Sequence, residues 1–204
     1  MSADVDVVII DSGGANLASL RYALDRLGAR SLVSSDPALI AEAPRVLLPG
    51  VGAAGDAMAR LRANELDRLI PRLQAPLLGV CLGMQLLFEH SAEGDTTCLG
   101  VIEGGVERLR AEPGLPVPHM GWNTLEVEQD DPLLEGIAGS DRVYFVHSFA
   151  ASVGADTLAS VDYGGAHCAI VRRANFRGVQ FHPERSSAPG ARILRNFLEL
   201  PACC

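Results

Sequence analysis

The chain has 204 residues, is 48% hydrophobic and 21% charged, and carries a formal net charge of −8. This is the composition of an ordinary globular protein with a sizeable core, and without a basic run it argues against nucleic-acid binding as a main role. No apolar stretch approaches the roughly 20 residues that a membrane-spanning helix needs.

The chain opens M-S-A-D-V-D, which lacks the positive n-region of a secretory leader, so a cytoplasmic protein is expected. Residues 5–10 form a near-continuous apolar run, the pattern of a central parallel strand. Residues 11–16 form a Gly-rich turn with Asn16 as candidate N-cap. Leu17, Leu20, Leu24 and Leu27 recur at helical spacing, and Gly28 ends that helix. The turn lacks a full G-x-G-x-x-G and is not read as a dinucleotide loop. A short strand is predicted over 30–34, a short helix from Asp36-Pro37 to about Ala43, and a buried strand over 46–48. That strand runs into Pro49-Gly50-Val51-Gly52. Helices follow over 54–62 and 65–73, and Pro76 introduces the apolar strand 77–80. Strands alternating with helices predict an α/β fold with a parallel, doubly wound sheet. Ligands in such sheets lie beyond the carboxyl ends of the strands.

From Gly100 the pattern changes. Strands are predicted over 101–108, 124–128, 143–149, 158–163, 169–173 and 176–180, with turns and little helix between them. These read as antiparallel extensions on one side of the parallel sheet. Asp131-Pro132 caps a short helical turn. Pro189 or Gly190 opens a final helix with Ile193, Leu194, Phe197 and Leu198 facing the core. No linker or repeat interrupts the chain, and 1–204 is read as a single domain.

Cys81 stands where the strand 77–80 ends, between Gly79 and Gly83. G-x-C-x-G is the thiol counterpart of the nucleophile elbow. Leu82, Met84, Leu86, Leu87 and Phe88 continue at helix-compatible spacing, so a helix is expected to begin at the sulfur. Its free N–H groups and positive end favour thiolate, and the small neighbours leave room for a substrate. The other reading is a buried core cysteine. A base is available late in the chain, where the strand F-R-G-V-Q-F ends in His182-Pro183-Glu184. Pro183 restricts His182 to extended geometry, which lets His182 and Glu184 project toward one end of the sheet. Imidazole then exchanges protons near neutral pH, and the glutamate holds its second nitrogen.

The remaining candidates are more ordinary. The five cysteines, Cys81, Cys98, Cys168, Cys203 and Cys204, are odd in number and irregularly spaced, so reduced thiols are expected. His147 is expected to be structural or at an interface, and His90, His119 and His167 to be unremarkable. No two histidines stand at metal-ligand spacing with a further ligand, so neither metal nor cofactor is predicted.

G-V-C-L-G-M-Q together with Q-F-H-P-E resembles the triad-type (class I) glutamine amidotransferases, over residues 11–197. The stretches P-G-V-G, P-H-M-G-W-N, Y-F-V-H-S and H-P-E-R-S-S are similar to one branch, the glutaminase subunits that feed ammonia to a (β/α)₈ cyclase subunit in histidine biosynthesis. The resemblance implies a flavodoxin-like fold, L-glutamine as substrate, Cys81 as nucleophile, His182 as base and Glu184 as its orienter. It implies an oxyanion hole from the N–H groups of Val51 and Leu82. It also implies glutamine binding by Gly52, Gln85, Glu93 and the backbone of Ser148 and Phe149. The chain departs from the branch at S-G-G-A-N-L, where relatives read Y-G-x-G-N-L. It also has Ala54 where relatives commonly carry an aromatic, and Phe149 and Ala150 where they often carry two tyrosines. Glycines on both sides of Val51 make a peptide flip cheap, so the isolated chain is expected to be a poor glutaminase. The alternatives are a glutaminase serving another synthase, such as that for pyridoxal phosphate, a non-catalytic binding module of the same fold, and a cysteine peptidase. P-H-M-G-W-N and the P-G-V-G loop argue against the first, and the intact Cys81, His182 and Glu184 against the second.

Overall fold

In chain order the elements are β1 (Val7–Ile10), α1 (Leu17–Arg26), β2 (Ser31–Ser34), α2 (Pro37–Ala41), β3 (Val46–Gly50), α3 (Ala54–Ala63), α4 (Leu66–Leu69), β4 (Leu77–Cys81) and α5 (Leu82–Gln85). The second half adds β5 (Phe88–Ser91), β6 (Thr96–Thr97), β7 (Ile102–Arg108), β8 (His119–Thr124), β9 (Glu126–Val127), β10 (Arg142–His147), β11 (Phe149–Ala151), β12 (Thr157–Asp162), β13 (Ala166–Arg173), β14 (Phe176–Val179) and α6 (Ser187–Glu199). This computed structural model describes residues 5–12 and 17–201. The expected Asn16 cap, Cys203 and Cys204 lie outside them.

The main sheet has eight strands in the order β2-β1-β3-β4-β14-β13-β12-β9. β2, β1, β3 and β4 pair in parallel, the doubly wound order expected from the alternating first half; β14, which the sequence placed among the antiparallel extensions, instead pairs in parallel with β4 and joins this core. β13, β12 and β9 extend it antiparallel from one edge, as the sequence predicts. Alternation along each strand sends side chains to both faces. Val8, Ile10, Val46 and Leu48 pack with Met58 and Leu61 of α3. Val7, Ile9, Leu47 and Val80 pack with Leu20 and Leu24 of α1 and Ile193, Leu194 and Phe197 of α6. No helix among the described residues is long and apolar enough to cross a membrane.

Three local expectations are corrected. The helix after Cys81 stops at Gln85, and Phe88 already belongs to β5, pairing in parallel with Ile102 of β7. Leu87 N–H bonds to Met84 O, three residues back, so the turn tightens and closes. The span predicted as 124–128 is two strands, β8 and β9, and that predicted as 143–149 is β10 and β11. They belong partly, and the strand predicted over 101–108 (β7) wholly, to two further sheets, β10-β8 and β11-β7-β5-β6, and do not extend the parallel sheet as expected. The final helix begins at Ser187, ahead of Pro189.

Candidate active site

Three parallel strands deliver the site to one edge of the sheet. β3 ends in Gly50, which pairs with Cys81 at the end of β4. Val80 pairs with Val179 of β14, so Gln180 follows beside Cys81, with His182 just beyond. Cys81 has φ 55° and ψ −113°, a strained conformation for a residue with a side chain. The glycines around it are needed for backbone packing, and do not serve as open room for a substrate. A Cβ on Gly83 would strike the Leu48 carbonyl oxygen, and one on Gly79 would lie 2.7 Å from the Gly83 carbonyl oxygen. The elbow is therefore wedged between β3 and its own helical turn.

His182 is held extended at φ −97° and ψ 99° before Pro183. Its N–H donates to Tyr144 O at 2.9 Å, and its carbonyl accepts from Ser186 Oγ at 2.6 Å. Its Nδ1 meets Glu184 Oε1 at 2.9 Å, with the Glu184 side chain fully buried. Burial pushes the His182 pKa down, but the hydrogen bonds to the Cys81 sulfur and the Glu184 carboxylate outweigh it and hold the pKa up, at about 10. An imidazolium at His182, facing the Cys81 sulfur, is the charge state this arrangement favours.

Cys81 and His182 open onto a cavity of about 370 Å³. Val51, Gly52, Leu82, Gln85, Glu93, Ser148 and Phe149 line it. Glu184 stands behind His182, outside the lining. Each candidate catalytic, oxyanion-hole or glutamine-binding residue is thus in the cavity wall or, for Glu184, directly behind it. Pro118, Val146 and His147 line it too and were not anticipated as site residues.

The polar contacts fix what the wall presents. Gln85 Nε2 donates to Phe149 O at 2.8 Å and to Gln180 Oε1 at 2.9 Å. Both of its hydrogens are used, which leaves Gln85 Oε1 as an acceptor for a ligand. Glu93 Oε2 accepts from the Ala54 N–H at 2.8 Å. The Ser148 carbonyl accepts from Leu109 N–H at 2.9 Å. The Phe149 carbonyl also accepts from His147 Nδ1 at 2.9 Å. His147 Nε2 in turn meets His119 Nδ1 at 3.0 Å. Because a carbonyl only accepts, His147 carries its proton on Nδ1, and His119 must donate to it. Burial lowers both pKa values to about 4, so both rings are neutral at pH 7. Among the described residues, no cluster of three or more His, Cys, Asp or Glu is arranged to hold a metal ion.

The family profile described as "Glutamine amidotransferase class-I" matches residues 8–200. The chain is 55% identical over 195 residues to "Imidazole glycerol phosphate synthase subunit HisH" of Xanthomonas campestris pv. campestris (strain 8004), covering 96% of this chain and 98% of that one. It is 52% identical over 197 residues to the protein of the same name from Xylella fastidiosa (strain Temecula1 / ATCC 700964), covering 97% and 98%. A solved structure titled "Crystal structure of glutamine amidotransferase" superposes with TM-score 0.73 at 23% identity over 95% of this chain and 97% of that one. That last likeness speaks for the fold.

Proposed function

The chain belongs to the class-I glutamine amidotransferase family, and from that premise we propose that it is the glutaminase subunit of an imidazole glycerol phosphate synthase. It releases ammonia from L-glutamine for a (β/α)₈ cyclase subunit, which makes imidazole glycerol phosphate and an aminoimidazole carboxamide ribotide in histidine biosynthesis. We read residues 1–204 as one glutaminase domain acting in the cytoplasm as half of a heterodimer.

The observation that carries the chemistry is a buried His182–Glu184 pair, 2.9 Å apart, beside Cys81 at the mouth of one cavity. Cys81 Sγ attacks the carboxamide carbon of glutamine. The developing oxyanion is met by the Val51 and Leu82 N–H groups. His182 gives its proton to the departing nitrogen, the C–N bond breaks, and a thioester and ammonia remain. Water then adds to the thioester with His182 taking its proton, and glutamate leaves. Glu184 keeps the ring oriented throughout. Gln85 Oε1 and the Glu93 carboxylate are acceptors suited to the α-ammonium group. The Ser148 and Phe149 carbonyls are already engaged, so their strand meets the α-carboxylate with N–H donors.

Val51 sits between glycines, and Gly52 has φ 93°. A peptide flip there moves one oxyanion donor, worth about a hundred- to a thousandfold in rate. The test is glutaminase turnover of the purified chain, alone and then with the cyclase and its nucleotide ligand. A rise of about a hundredfold or more is expected on assembly. Equal turnover in both conditions would mark a free-standing glutaminase.

A further inference from the structure

One polar side chain in the site has no part in the chemistry described so far. Gln180 is fully buried, 0% exposed, one residue beyond the end of β14. Its backbone N–H is used by Ala169 O at 2.8 Å. Its amide lies between Gln85 and the nucleophile, with Oε1 2.9 Å from Gln85 Nε2 and Nε2 3.8 Å from Cys81 Sγ.

The direction of that amide is determined by a chain of contacts starting from the backbone. The Phe149 carbonyl can only accept, so the Gln85 atom facing it is the NH₂ group. That same NH₂ group faces Gln180, so Gln180 must offer its oxygen there. Turning the amide over would set two NH₂ groups against each other in a buried site, leaving both unsatisfied. The Gln180 NH₂ group is therefore directed at the Cys81 sulfur. An acceptor, the Val146 carbonyl, also lies 3.9 Å from the sulfur. The sulfur thus has within reach a carbonyl that favours the thiol and an amide N–H that favours the thiolate.

We propose that Gln180 is a further catalytic residue, an N–H donor that holds the Cys81 sulfur as thiolate and aims it at the cavity, while its oxygen locks the Gln85 amide with Oε1 toward the substrate. Gln180 couples the nucleophile to the residue that reads the amino-acid head. A hydrogen bond to a charged group is worth about ten- to a hundredfold in an equilibrium or rate. The inference rests on the glutaminase reading, and its test separates the two.

The experiment uses the complex with the cyclase subunit and compares wild type, Cys81→Ala, Gln180→Leu and Gln180→Glu. Gln180→Glu keeps the shape and the acceptor for Gln85 but replaces the donor with a carboxylate oxygen. Three quantities are read: kcat and KM for glutamine, the alkylation rate of Cys81 by iodoacetamide at pH 7, and co-elution with the cyclase as a check on folding. For Gln180→Glu the expected result is a loss of about tenfold to a hundredfold in kcat, KM within about threefold, a matching fall in alkylation rate, and unchanged co-elution. Gln180→Leu should slow alkylation similarly and raise KM as well, because Gln85 loses its lock. If either variant co-elutes with kcat and alkylation within about twofold of wild type, the inference is overturned while the glutaminase reading stands. If wild type and Cys81→Ala hydrolyse glutamine equally, the underlying reading itself has failed.

Discussion

Glu93 Oε2 accepts the Ala54 backbone N–H at 2.8 Å across 39 residues of chain. The side chain thereby caps α3, whose own N-cap residue, Ala53, makes no side-chain bond. Glu93 thus combines a structural role with its proposed contact to the α-ammonium of glutamine, and two substitutions separate them. Glu93→Gln keeps an oxygen for the cap but loses the charge, so KM for glutamine should rise about tenfold with little change in thermal stability. Glu93→Ala should raise KM similarly and also cost about 1 kcal/mol from the lost cap. Steady-state kinetics beside thermal unfolding distinguishes the two. An unchanged KM in both variants would remove Glu93 from the binding site.

The cysteines should react unequally. Burial pushes both Cys98 and Cys168 up to about 11, and both bond to nearby backbone carbonyls, Cys98 to Thr96 O and Cys168 to Ile170 O, each at 3.5 Å. A glutamine-like electrophile should label Cys81 first, because thiolate is the reactive form. Peptide mapping that finds the label chiefly on Cys98 or Cys168 would contradict this.

Acid should weaken the fold through His119 and His147. Their folded pKa values, about 4, lie below the ordinary 6.5. The stability gained by keeping them neutral is present above about pH 6.5 and is lost as pH falls toward 4. His182 works in the opposite sense. Its pKa is raised to about 10, so its contribution is complete below about pH 6.5 and is lost as pH rises toward 10. Urea midpoints measured from pH 4 to 8 should fall on the acid side, and His119→Phe with His147→Leu should flatten that fall. An acid limb of undiminished steepness in the double variant would assign the loss to other groups.

The elbow should tolerate no side chain at Gly83. An added methyl group meets the Leu48 carbonyl, and neither partner is a movable side-chain tip. Gly83→Ala should destabilise the fold by about 1–3 kcal/mol or more and slow labelling of Cys81. A urea midpoint equal to wild type would show that the elbow is looser than this packing implies.

Much of this was legible because it is local. Cys81 announces itself by an apolar run and two glycines, and His182 by the proline that fixes its backbone. Four of the five parallel strands follow from strands and helices that alternate over residues 7–81; β14 joins them from the far end of the chain, where an antiparallel strand was expected. What stayed hidden depends on contacts between distant segments. Gln180 reads as one polar residue in a strand, and only the pairing of β14 with β4 brings it to the sulfur. His119 and His147 meet because β8 pairs with β10, with these two residues in register. Leu86, Leu87 and Phe88 have helical spacing, yet Phe88 pairs with Ile102 instead. There, long-range sheet pairing overrides local pattern.

The central claim is that Cys81 is the nucleophile of a glutaminase whose ammonia is passed to a partner. The most direct measurement is synthesis by the assembled complex carrying Cys81→Ala, supplied in turn with glutamine and with ammonium salt. Glutamine-dependent synthesis should fall by about 10⁴-fold or more, while ammonia-dependent synthesis stays at the wild-type rate, because the cyclase needs only ammonia from any source. Glutamine-dependent synthesis that survives the loss of this sulfur would contradict the account.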